Sequence, residues 1–368
     1  MEIQKGLKGV VVSETQIGEV DGTNGRLVYR GYEIGELASA YTFEEIAYLI
    51  WHGELPSPEQ RKKIVRSFKE KRGLSPVMEN VLKALPKNME LMNVLRTVLS
   101  AEGDNTYSSK PTIEEAIRLT AVTPTIIASR FRQLKGQTMI APDANLGHVE
   151  NYLYMLTGER IPQASIRVLE TYMNLTMEHG MNASTFSARV TTSTQSDMVS
   201  AVISAIGTMK GPLHGGAPSE VIALLDELSQ VENIEMHLRE KVRAGEKLMG
   251  FGHRVYKTSD PRAVALKKLL TDSFGKNDWL DFSILVEQYV LKVLAGEKPG
   301  KSLHTNVEYY AAAIMKALAM QPSLFTPTFT ASRMVGWTAH VLEQAEENVI
   351  FRPLSKYIGP KTKKVNIT

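Results

Sequence analysis

No cysteine occurs among the 368 residues. That absence removes disulfides, thiolate nucleophiles, iron–sulfur clusters and cysteine-rich zinc sites together, so any catalyst in this chain works with nitrogen and oxygen. Long apolar runs are missing as well. No stretch reaches the ~18 consecutive apolar residues of a membrane span. The opening MEIQKGLKGVVVSE carries acidic residues and only a three-valine run, which is no apolar core for a secretory signal. A soluble, cytoplasmic protein that engages no membrane is the expectation. Charge of one sign is equally scarce: 43 Lys and Arg against 40 Asp and Glu leave +3, which offers nucleic acid no electrostatic footprint. With 26 Gly and 16 Pro the chain is neither collagen-like nor a proline-rich coil.

What is present suits a large folded chain. Hydrophobic residues make up 43% of a length that allows two domains and a substantial core. Residues 8–30 are the β-like region, with Val10, Val11 and Val12, then Leu27, Val28 and Tyr29 beside the turn pairs Asp21-Gly22 and Asn24-Gly25. Thr42 followed by Phe43-Glu44-Glu45 reads as a helix cap with an acidic first turn, and Gly53 and Pro56 stop that helix. Further helical patterns run at 58–71, 113–134, 164–179, 197–210, 218–229, 262–272, 281–295, 307–320 and 329–347, and Pro124 is expected to interrupt or kink one of them. Breaks at Gly211-Pro212, Gly215-Gly216, Gly250 with Gly252, and Lys298-Pro299-Gly300 point to a smaller domain near 216–320. The lysine-rich end, GPKTKKVNIT, reads as a frayed terminus.

Three constellations could carry chemistry. His214 lies in GPLHGGAPSE, on a loop aimed at a helix start, where the macrodipole favours a neutral imidazole able to donate to an oxyanion. A capped loop histidine fits the segment too. His253, Lys257 and Arg262 sit in LMGFGHRVYKTSDPR, which opens like a dinucleotide fingerprint but lacks the third glycine and a preceding strand, so the Rossmann reading fails. Three donors within ten residues suit carbonyl polarisation and anion binding; a solvated basic loop fits as well. In THR-ASN-VAL-GLU at 305–308, Glu308 fits a capping box, which would merely satisfy helix-start amides; as a base it would need a desolvated site. His304 with Glu308, and His340 with Glu343, have helical spacing but no matching motif, and no HExxH, EF-hand or Walker A sequence is present, so no metal site is expected. His179 and His340, each taken alone, read as packed histidines, and Arg333 and Arg352 as ordinary salt-bridge residues.

These residues are grouped by a resemblance. EHGMNASTF around His179, MKGPLHGGAP around His214, GFGHRVYKTSDPRA around His253, and ASRMVGWTAHVLEQ through FRPLSKYIGP are similar, in that order, to motifs of the citrate synthase family, and the opening GLKGVVVSETQIGEVDGTNGRLVYRGY extends the likeness over nearly the whole chain. The length resembles the compact bacterial and archaeal type. The resemblance implies a mainly α, two-domain fold with a small N-terminal β-hairpin region: a large domain from 1–215 plus 321–368, a small inserted domain at 216–320, and a homodimer. It implies condensation of acetyl-CoA with oxaloacetate, then thioester hydrolysis to citrate and CoA, with no metal or other cofactor. By the same likeness Glu308 is the base, His214 the donor to the thioester oxygen and His253 the group polarising the ketone. Arg262, Arg333 and Arg352 bind the carboxylates, Arg352 from the other subunit, with His179 assisting. Lys257 meets the CoA phosphates, and the backbone around Gly250 and Gly252 holds the adenine. The family's usual base is an aspartate, so Glu308 is a departure by one methylene. 2-Methylcitrate synthase, using propionyl-CoA, and a binding or regulatory paralogue weakened by Glu308 are the alternatives.

Overall fold

The computed structural model describes residues 3–360 except 105, 216, 254, 275–277 and 302. The end expected to fray falls largely at 361–368, outside the described residues. Three short strands, β1 (Gly18–Asp21), β2 (Arg26–Tyr29) and β3 (Tyr32–Glu33), make an antiparallel sheet in that order. Asp21 forms the first turn, its Oδ1 accepting the N–H groups of Thr23 and Asn24, each at 3.0 Å. Gly18 pairs with Tyr29 and Asp21 with Arg26. The valines at 10–12, expected to belong to this β region, form no strand, and Val11 is 87% exposed. They have no neighbouring strand, and a lone extended segment gains no ladder to hold it.

Sixteen α-helices carry most of the remaining described chain: α1 (Ile34–Ala40), α2 (Phe43–His52), α3 (Pro58–Lys71), α4 (Pro76–Ala84), α5 (Leu91–Ser100), α6 (Ile113–Leu134), α7 (His148–Thr157), α8 (Gln163–Thr176), α9 (Ala183–Ser193), α10 (Met198–Met209), α11 (Ala217–Leu228), α12 (Ile234–Arg243), α13 (Pro261–Phe274), α14 (Asp278–Glu297), α15 (Val307–Ala317) and α16 (Phe325–Glu346). The mainly α class is therefore observed. Local chemistry explains the clearest boundaries. Glu45 accepts the Thr42 N–H at 2.9 Å to start α2, and Gly53, with φ +87, ends it in the left-handed conformation. Ser57 and Gln60 cap α3 reciprocally, with Pro58 at its first position.

Six helices, α1, α4, α5, α7, α9 and α12, lie outside the stretches that periodicity marked. α9 shows why. Its sequence, ASTFSARVTTS, is rich in hydroxyl and β-branched residues of modest helix propensity, and its packing between α10 and α16 supplies what propensity does not. Pro124 does not interrupt α6, which runs continuously through it. The proline is buried among neighbouring helices, and that packing offsets the one backbone hydrogen bond it cannot donate.

α16 runs through the interior, with Met334, Val335, Trp337 and Val341 all fully buried, and packs on α6, α8, α9 and α10. This carries Arg333 and Trp337 into the centre of the molecule. Helices α11 to α15 pack on one another, while α13 and α15 also touch α8. The N-terminal hairpin reaches that group: the Gly22 carbonyl accepts the Lys257 N–H at 2.7 Å, and a Cβ at residue 22 would lie 2.2 Å from the Val255 oxygen. Only glycine allows that approach. Among the described residues no helix is long and apolar enough to cross a membrane.

Candidate active site

The two glycines of GFG serve the loop's own packing. Gly250 and Gly252 have φ +90 and +86, and their segment pairs with the strand-like stretch before α15. The Gly252 N–H donates to the His304 carbonyl at 2.7 Å, and the Asn306 N–H to the Gly250 carbonyl at 2.9 Å. A Cβ on Gly250 would meet Tyr309 at 2.9 Å. The loop that carries His253 is thereby locked to the segment that leads into Glu308.

His253 is held in one tautomer. Its Nδ1 accepts the backbone N–H groups of Val255 at 3.0 Å and Tyr256 at 3.1 Å, so that nitrogen carries no hydrogen. Burial, aided by the Arg262 charge, lowers its pKa to about 4. At neutral pH the ring is uncharged and its hydrogen sits on Nε2. His179 packs edge-on against this ring at 5.5 Å and has its Nε2 3.1 Å from the Tyr256 hydroxyl. Burial, with Arg262 and Arg333 nearby, drives the His179 pKa well down.

Arg262 and Arg333 are both buried, and they differ in what they leave free. Arg262 donates from Nε and Nη2 to the two oxygens of Asp260, at 3.0 and 2.8 Å. Arg333 donates from Nε to the Thr176 carbonyl at 2.7 Å and lies over the Phe329 ring at 4.8 Å. Its two terminal nitrogens make no hydrogen bond or ion pair among the described residues, a fork open to a carboxylate.

His214 sits on the turn between α10 and α11, its N–H bonded to the Gly211 carbonyl at 2.9 Å. Its Nε2 is 2.8 Å from Ser184 Oγ, which also takes the Trp337 indole N–H at 3.0 Å and lies 2.7 Å from Asn182 Oδ1. The neutral imidazole expected from the helix dipole is found, but for a different main reason: burial, then the Arg333 charge, brings the pKa to about 4.

Glu308 is not a capping residue. α15 starts at Val307 with Asn306 as its N-cap, and Thr305 donates its hydroxyl to Glu287. The capping-box expectation fails because the N-cap is Asn306 rather than Thr305, which leaves Glu308 two residues after the cap instead of three; Asp260 Oδ2, at 3.1 Å, accepts the Val307 N–H from outside the helix. Part of Glu308 remains open, while its Oε2 is enclosed without a hydrogen-bond partner. Burial raises its pKa, with Arg262 opposing. Glu308 and His214 line one small pocket together with Tyr172, Thr176, Ala311 and Phe329.

Of the residues singled out in the sequence, His179, His214, His253, Arg262, Glu308 and Arg333 therefore converge. The Arg262 charge acts on His179, His253 and Glu308, and the Arg333 charge on His179, His214 and Glu308. Lys257 is exposed beside the hairpin, and Arg352 is exposed in the extended segment after α16. His340 is a packed histidine, fully buried, accepting from Arg189 Nε at 3.0 Å and facing Glu178 at 3.2 Å. Among the described residues no three His, Asp or Glu side chains gather as a metal site. Periodicity and spacing gave no signal for Ser184 or Trp337, although both lie inside the quoted motifs; Asp260 was marked only by its place two residues before Arg262.

The family described as citrate synthase, C-terminal domain, matches residues 6–354. A citrate synthase of Haloferax volcanii is 38% identical over 374 residues, covering 98% of this chain and 97% of that protein. A 2-methylcitrate synthase of Mycobacterium tuberculosis is 40% identical over 365 residues, covering 97% of this chain and 91% of the relative. The crystal structure of citrate synthase from Thermotoga maritima has a TM-score of 0.88 at 39% identity, with 99% of this chain and 98% of that one covered. The ternary complex of carboxymethyl coenzyme A and oxaloacetate with citrate synthase from Thermoplasma acidophilum has a TM-score of 0.90 at 28% identity, covering 99% and 98%. Sequence motifs, buried site, near-full-length identity and fold all agree, and the chain belongs to the citrate synthase family, enzymes that transfer an acyl group in a condensation.

Proposed function

We propose that this site condenses acetyl-CoA with oxaloacetate, with Glu308 as base. The observation that carries the reading is the enclosed, unbonded Glu308 Oε2 in the cavity it shares with His214. A thioester methyl is weakly acidic, so its deprotonation needs a placed base and a donor at the enolate oxygen. A carboxylate whose pKa burial has raised is a stronger base than one in water. His214 is the donor to the thioester oxygen, and its ring is held through Nε2, 2.8 Å from Ser184 Oγ.

Oxaloacetate lies with a carboxylate on the open fork of Arg333 and on the Arg262 hydrogens that Asp260 leaves free, with His179 alongside. His253 Nε2–H points to the ketone oxygen. The methyl proton goes to Glu308, the enolate carbon bonds to the ketone carbon while the His253 Nε2–H hydrogen-bonds the developing alkoxide, and the alkoxide takes up one proton as Glu308 gives its own back, so that both side chains return to their starting state. Water then cleaves the citryl thioester, releasing CoA and citrate. Every charge that develops meets a named side chain, so the proposed chemistry draws on no metal or organic cofactor.

The assembly we propose is a homodimer in which Arg352 completes the partner's carboxylate site. The support is the extended arm after α16, where Arg352 is exposed beside Leu354, Tyr357 and Ile358, exposed by 85%, 74% and 89%. Such apolar surface on an arm suits burial against a second subunit. Lys257 on the surface and the 250–252 backbone are proposed contacts of the CoA phosphates and adenine. Closure of helices α11–α15, as a small domain at 216–320, over the rest of the chain would dry the site.

Free thiol release from acetyl-CoA, with and without oxaloacetate, tests the reading. Release that depends on the keto acid is expected, and release without it indicates plain thioester hydrolysis. Propionyl-CoA is the second reading, favoured by the 2-methylcitrate synthase relative. One methylene changes discrimination by only ~1–3 kcal/mol. A more than tenfold preference for propionyl-CoA over acetyl-CoA would reverse the assignment.

A further inference from the structure

The first turn of α15 is held from outside. Asn306 makes no side-chain cap bond, and the Glu308 Oε2 has no partner of its own. The placement of that carboxylate therefore depends on the backbone beneath it. One buried side chain on α14 grips both flanks of this backbone. Thr305 Oγ1 donates to Glu287 Oε1 at 2.6 Å, and the Tyr310 hydroxyl donates to Glu287 Oε2 at 2.7 Å. Lys267 Nζ, from α13, reaches the same Oε2 at 2.6 Å and balances the charge. One turn earlier on α14, the Ser283 carbonyl accepts the Tyr309 hydroxyl at 2.6 Å.

We propose that Glu287 is a positioning residue for the base, setting where Glu308 meets the acyl donor without touching substrate. Residues 305 and 310 bracket position 308, so a shift in either hydrogen bond moves the start of α15 along its axis. Reactivity is sensitive to displacements of about 1 Å at the reacting atoms. The grip also accounts for how a glutamate, longer by a methylene than the family's aspartate, is carried at this position: the supporting backbone, rather than contacts to the carboxylate, sets its reach. The inference rests on Glu308 being the base.

The test uses the full-length enzyme. Glu287→Gln keeps the volume but cannot accept from both hydroxyls and from Lys267. We expect kcat to fall about 10–100-fold, with KM for oxaloacetate within about twofold and a larger deuterium isotope effect on CoA release from trideuteroacetyl-CoA. The isotope effect reports proton abstraction, which a loss of stability alone does not alter. Thr305→Val is expected to move kcat and the isotope effect in the same direction, and Thr305→Ser to restore both. A folded Glu287→Gln enzyme with unchanged kcat and isotope effect overturns the proposal. Should that variant not fold, equal kinetics for Thr305→Val and Thr305→Ser overturn it. Glu308→Gln is measured alongside: if it stays active, the assignment of the base fails, whereas an inactive Glu308→Gln with a normal Glu287→Gln defeats only the positioning role.

Discussion

Asp260 binds Arg262 through both carboxylate oxygens and, with Oδ2, also accepts the Val307 N–H at the start of α15. One buried acid thus joins a proposed carboxylate-binding arginine to the helix that carries the proposed base. Removing one partner of a buried pair leaves the other charge uncompensated, at a cost of about 3–5 kcal/mol. Asp260→Ala should lower unfolding stability by that order in urea titrations. It should also weaken both substrates, raising KM for oxaloacetate and lowering kcat together. An Asp260→Ala protein with wild-type stability would show that the pair is dispensable.

Ser184 is the only side chain bonded to the His214 ring among the described residues. Ser184→Ala leaves the imidazole Nε2 and the Trp337 indole N–H unpartnered, and the ring loses the contact that holds its orientation. kcat/KM for acetyl-CoA should drop about 10–100-fold, a typical loss for misaligned donors, while calorimetric binding of oxaloacetate stays near normal. Equal loss for both substrates would contradict the division of labour.

The pH profile should lack an inflection near 6.5. His214 and His253 both have pKa values of about 4, depressed mainly by burial, so they stay neutral throughout the neutral range. Glu308 must be ionised to accept a proton, and burial raises its pKa above 4.5. Activity should therefore fall on acidification as Glu308 protonates, at a pH above the ordinary carboxylate range. Glu308→Asp should shift this acidic limb of kcat/KM, and His253→Gln should leave its position unchanged even though it lowers the rate.

Glu170, on α8, offers a stability test away from the site. Its carboxylate accepts the Phe43 N–H at 3.1 Å, and burial lifts its pKa to about 7. The folded state therefore favours the protonated acid. This contribution is complete below pH 4.5 and declines as pH rises towards 7. Glu170→Gln keeps an acceptor and cannot ionise. Its melting temperature should exceed the parent's at pH 8, corresponding to ~1–3 kcal/mol, with little difference at pH 4.5. A gain at the acidic end instead would reverse the assignment.

Several features were legible because they are local. Ser57 with Gln60 and Pro58, and Thr42 with Glu45, wrote their helix starts into adjacent residues. The ordered motifs around His179, His214, His253 and Arg333 named the family, since each segment carries its own residues in sequence. Local rules erred where distant groups intervened. Thr305 and Glu308 have the spacing of a capping box, yet the helix starts one residue later, with Asn306 as its N-cap, and Glu287 and Asp260, from other parts of the chain, bond Thr305 and Val307. Val10 to Val12 have strand composition but no strand to pair with.

The amino-acid sequence by itself determined a mainly helical, cysteine-free chain of the citrate synthase family and the set of histidines, arginines and carboxylate that could do its chemistry. Tertiary structure alone decided that Glu308 Oε2 is enclosed without a bond, which nitrogen of His253 carries the hydrogen, and which arginine keeps an open fork. Protonation and unpaired donors depend on burial and on partners distant in the chain, and the near-neighbour bonds that fix the His253 tautomer depend on a loop conformation that the folded chain imposes.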